Sequence, residues 1–65
     1  MMDAQKHYQF INSLTGNVIA YLSLPEDADK NIIQGLLEKK RIQAAIENQI
    51  SLDLIYWQDE AFLIN

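Results

Sequence analysis

Few side chains in this sequence have the chemistry of a catalyst. There is one histidine, His7, and no cysteine, so disulfides and thiolate metal sites are excluded and His7 is the one imidazole that could act as a base or ligand. His7 has no acid or nucleophile close to it in sequence and reads as an ordinary exposed strand residue. Ser13, Ser23 and Ser51 each lack the glycine-flanked turn that presents a nucleophilic serine. Asp53 stands between Leu52 and Leu54. Buried there, it needs a partner or its pKa rises; exposed, it is a charge that deters strand aggregation. No spacing pairs two carboxylates for acid–base work. No catalytic, cofactor-binding or metal-ligating residue is assigned, and the chain is read as non-enzymatic.

Two patterns come closer to a binding site. Asp27, Asp29, Asn31 and Glu38 fall at the first, third, fifth and twelfth positions of a calcium-binding loop, where oxygen ligands are needed. The sixth position needs glycine for a sharp turn and holds Ile32, a β-branched residue that resists positive φ. A helical apolar pattern also runs through the segment. The acids therefore read as the negatively charged start of a helix. Lys39, Lys40 and Arg41 form the only basic cluster and are the candidate phosphate contacts. Consecutive helical residues fan around the axis, so the three make no single basic stripe. The formal charge of −4 also opposes a polyanion.

The elements that would position these residues follow from periodicity. Residues 8–14 and 18–24 are rich in β-branched and aromatic side chains and read as a hairpin about Thr15, Gly16 and Asn17. A three-residue loop pairs Leu14 with Val18, Asn12 with Ala20, Phe10 with Leu22 and Tyr8 with Leu24, which puts these residues on one face. Pro25 and the acids after it open a helix that runs to about Glu47, with Asn48 as its left-handed cap and Ile50 folding back. Its apolar stripe shifts near residues 38–41, after Gly35, which predicts a bend or two shorter helices. Residues 52–57 form a third strand with Leu52, Leu54 and Tyr56 on one face. Gln58, Asp59 and Glu60 make a turn, and residues 61–64 return as a short fourth strand. Leu36 and Leu54 are expected in the core.

With 65 residues the chain is one domain, 1–65, and a domain this small is marginally stable alone. It has no disulfide to staple it, and its 49% hydrophobic composition suits a packed core or an oligomer. There is no signal-peptide core, lipidation motif or apolar run of membrane-spanning length, so the expected location is the cytoplasm, with no membrane partner. The predicted fold class is α+β: a small, mostly antiparallel sheet covered on one face by the helical layer. One helical layer leaves the other sheet face bare, and the alternation places Ile11, Ile19, Tyr21, Ile55 and Trp57 there. Large apolar side chains on an uncovered face imply a partner. The expected function is a protein-interaction or regulatory module that forms a homodimer through these five residues or binds another protein. Nucleic-acid association through Lys39, Lys40 and Arg41 is the alternative.

Overall fold

In a computed structural model that describes residues 5–60, the chain is an α+β fold with a three-stranded antiparallel sheet and one helix. The elements are β1 (Gln5–Asn12), β2 (Asn17–Pro25), α1 (Lys30–Asn48), a 3-10 turn (Leu52–Leu54) and β3 (Ile55–Asp59). Among the described strands the order is β2-β1-β3, so β1 is central and β2 and β3 are the two edges of the described sheet. The predicted fourth strand lies outside the described residues. No described helix is long and apolar enough to cross a membrane.

The hairpin loop starts two residues earlier and is one residue longer than the three-residue loop predicted at residues 15–17. Asn12 pairs with Asn17, leaving Ser13, Leu14, Thr15 and Gly16 as the turn. Asn12 drives this: its side-chain Oδ1 accepts the Leu14 N–H at 2.9 Å, and its carbonyl accepts the Gly16 N–H at 2.7 Å. Gly16 supplies the positive φ of 77° that closes the turn. Ile11 pairs with Val18 and Phe10 with Ala20, so Ile19 is an extra residue, a β-bulge in β2. Beyond the bulge Tyr8 pairs with Leu22 and His7 with Ser23. The predicted pairs are displaced by two residues there. A shift of two preserves the faces, so Tyr8, Phe10, Ala20, Leu22 and Leu24 do share one side.

The helix begins later than expected. β2 continues through Pro25, a turn follows, and Asp29 caps α1 by accepting the Asn31 N–H at 2.7 Å. The helical layer is one continuous helix of 19 residues. Its inner stripe is Ile33, Leu37, Ala44 and Ala45, packed with Tyr8, Phe10, Leu24 and Ile55. Leu37 is 2% exposed and is the core leucine, whereas Leu36 is 41% exposed, which corrects its predicted burial. Ile32, Ile42 and Ile46 also point away from the sheet. In the second half of the helix the buried positions are the small residues Ala44 and Ala45.

At the C-terminal end the left-handed residue is Gln49, at φ 55° and ψ 45°, not Asn48. The Asn48 side chain is engaged inside the helix, donating to the Ala44 carbonyl at 2.9 Å. The Ile50 N–H reaches back to the Ala45 carbonyl, closing the end of the helix, and Ile50 packs against the core as predicted. A glutamine in this conformation carries a steric cost that glycine avoids. Gln49→Gly is expected to raise stability by about 1 kcal/mol, read as a higher urea midpoint; a lower midpoint would contradict the assigned cap.

The third strand departs most from expectation. Residues 52–54 form the 3-10 turn, with Asp53 exposed, and the strand proper starts at Ile55. Gln58 and Asp59, predicted in a turn, belong to β3. Phe10 pairs with Trp57, Asn12 with Ile55 and Ile11 with Tyr56. Directly opposed residues share a face, so Ile55 and Trp57 point toward the helix and Tyr56 points away, the reverse of the predicted arrangement. Ile55 is 2% exposed, and the Trp57 ring sits 6.2 Å from that of Phe10. Leu54, expected in the core, is half-buried at the end of the turn. At the far end of the sheet Lys6 and Asp59 form an ion pair at 3.3 Å. The Asp59 hydrogen bond and charge raise the Lys6 pKa. This stabilisation is present below the ordinary lysine pKa and is lost only as pH rises through the raised value.

Candidate interaction surface

The residues that could do chemistry are spread over the fold. Asp29 is the helix cap, Asn31 and Glu38 lie within α1, and Asp27 is exposed in the preceding turn, so the calcium-loop spacing is laid out along a helix start. Among the described residues no group of three His, Asp or Glu side chains gathers around a possible metal position.

The strands bring together one pair that sequence spacing kept apart: His7 Nδ1 lies 2.6 Å from Ser23 Oγ. The signal for it was the hairpin register, and it emerges only once His7 is set opposite Ser23. A serine nucleophile needs this base, a group that orients the base, and donors for an oxyanion. Both residues are exposed on the sheet surface, where they make a cross-strand hydrogen bond.

The basic cluster divides. Arg41 turns toward β3, where Nε donates to the Ile55 carbonyl at 2.7 Å and Nη2 to the Leu52 carbonyl at 2.9 Å. Its Nη1 meets both Glu38 carboxylate oxygens, the closer at 2.9 Å. The guanidinium thus ties the helix to the 3-10 turn and the first residue of β3. Its planar fork is suited to several acceptors at once. The sequence held a signal for this: Arg41 is four residues after Leu37 and four before Ala45, on the inner stripe. Lys39 and Lys40 lie on the opposite flank, beside β2, where with Leu22, Leu24, Leu36 and Gln43 they line a shallow groove of about 170 Å³.

Of the five predicted surface residues, the structure keeps two on the outer face of the sheet. Ile11 and Tyr21 lie there; Ile55 and Trp57 face the helix, and the bulge redirects Ile19 so that it packs against the core beside Ala20. Val18 and Tyr56 take the vacated places. Across the sheet, Val18, Ile11 and Tyr56 form one row, and Tyr21, Gln9 and Gln58 the next. Tyr21 is 63% and Tyr56 47% exposed, while Ile11 is buried. No described helix lies on this face.

The two sheet edges differ in chemistry. β3 is five residues long, ends in Asp59 and is followed by Glu60. β2 is nine residues long and carries no charged side chain, and no described residue pairs with its outer side. Natural edges are usually short, charged or interrupted by proline, because free N–H and C=O groups recruit another strand. The only such devices in β2 are the bulge at Ile19 and the terminal Pro25. The chain matches no protein-family model, no curated protein and no solved structure.

Proposed function

We propose that this chain is a small, non-enzymatic interaction module that forms a homodimer. The observation that supports this reading most is the edge of β2: nine residues without charge, flanked on one side by the outer-face residues Val18 and Tyr21 and on the other by the groove at Leu22, Leu24 and Leu36. Together they form a largely apolar margin rimmed by Lys39, Lys40 and Gln43, and a chain of 65 residues gains stability by closing such a margin against a partner. Nucleic-acid association is the weaker reading, because Arg41 is committed to Glu38 and two carbonyls and leaves Lys39 and Lys40 to serve one surface.

Light scattering over a range of concentrations tests the proposal. The mass is expected to climb from 7.5 kDa toward twice that value with a midpoint in the micromolar range. A constant 7.5 kDa up to millimolar concentration would contradict it. Retention on single- or double-stranded nucleic acid that falls steeply with salt would favour the alternative.

A further inference from the structure

We infer that the partner strand is β2 of a second copy, paired antiparallel about a two-fold axis at Leu22, so that two three-stranded sheets join into one of six strands. This inference rests on the self-association reading and specifies where it happens.

The bulge at Ile19 and the imino acid Pro25 bracket the stretch of β2 that can extend a ladder: Ala20, Tyr21, Leu22, Ser23 and Leu24. A bulge breaks regular pairing, and proline has no N–H to donate. The centre of this stretch is Leu22. A two-fold axis there sets Leu22 opposite its own copy, Ala20 opposite Leu24 and Tyr21 opposite Ser23 of the second chain. Each off-axis pair then joins a small residue to a large one, which directly opposed side chains accommodate without crowding. The faces also match. Ala20, Leu22 and Leu24 are on the helix side of both copies, and Tyr21 and Ser23 on the outer side of both.

The ladder itself carries no charge: none of the opposed residues 20–24 is charged, so a second copy brings no like charges together within it and a charged peptide finds no ion-pair partner there. The β3 edge is shorter and carries Asp59. Pairing at β2 also sets the two grooves side by side, each lined by Leu22, Leu24 and Leu36 and by Lys39, Lys40 and Gln43, so the lysine ammonium groups must stay in solvent while Leu36, 41% exposed in one chain, is covered. A two-fold contact uses the same patch on each molecule and closes on itself, which limits assembly to a dimer.

Amide exchange measured by NMR at micromolar and millimolar concentration tests this on the whole chain. The outward-facing amides among residues 20–24 are expected to slow by about tenfold or more as concentration rises, while amides of β3 change little. Tyr21→Lys, which sets a cation beside the axis in both copies, should weaken association about tenfold or more; Tyr56→Lys, two strands away on the same outer face, should leave it unchanged. Circular dichroism confirms that both variants fold. A dimer whose β2 amides do not slow, and which Tyr56→Lys dissociates, would overturn the edge pairing while keeping self-association through the outer face. A monomer at every concentration would overturn both.

Discussion

Phe10→Ala is expected to unfold most of the population at room temperature. Phe10 sits on the central strand, fully buried, with the Trp57 ring beside it and α1 over it. Removing a buried phenylalanine costs about 3–5 kcal/mol, because the transfer energy is lost and the cavity collapses only in part. A domain of this size has a total stability of roughly 3–10 kcal/mol. The loss is therefore comparable to the whole. Urea denaturation followed by Trp57 fluorescence measures it, and a loss below about 1 kcal/mol would show that Phe10 is not at the centre of the core.

Arg41→Ala is the second large effect, expected to cost about 2–4 kcal/mol. The guanidinium serves two backbone carbonyls, at Leu52 and Ile55, and its side chain is 21% exposed. Removing it leaves acceptors without their donors at the junction where the 3-10 turn becomes β3. Arg41→Lys is expected to recover little, since one ammonium cannot reach both carbonyls and Glu38 in the same plane. The readout that separates this clamp from a general loss of packing is local. Amide exchange at residues 52–56 should accelerate more than exchange in the hairpin. Equal acceleration throughout, or an Arg41→Lys variant as stable as the parent, would contradict the clamp.

These two residues also show where the sequence was legible and where it was not. Phe10 was placed on the helix-covered face because strand alternation has a period of two, and the error in hairpin register was itself two residues. The faces survived that error, and so did the α+β class. The third strand had no such protection. Residues 52–54 alternate in polarity as a strand would, yet they form a 3-10 turn, and the strand that follows presents Ile55 and Trp57 inward. A slip of one residue exchanges the faces, which is why Ile55 and Trp57 were assigned to the bare surface and Tyr56 was not.

The bulge at Ile19 removed a third residue from that surface; it lies two residues beyond Asn17, whose pairing with Asn12 closes the turn. The basic cluster divides as its helical positions require: consecutive residues fan around the axis, which sends Arg41 to one flank and Lys39 and Lys40 to the other. The expectation of an uncovered apolar surface therefore rests on partly different residues, Val18, Tyr21 and Tyr56, and on an edge that alternation alone could not identify as an edge.

Pairing of two β2 strands is the point on which the functional account turns, and it is read most directly from a mixture of isotopically labelled and unlabelled chains at millimolar concentration. An isotope-filtered NOE spectrum of that mixture records contacts between chains alone. The account predicts intermolecular cross-peaks centred on Leu22, joining Ala20 to Leu24 and Tyr21 to Ser23. Intermolecular cross-peaks confined to Tyr56 and other outer-face residues remote from the β2 edge, or none at all, would contradict it.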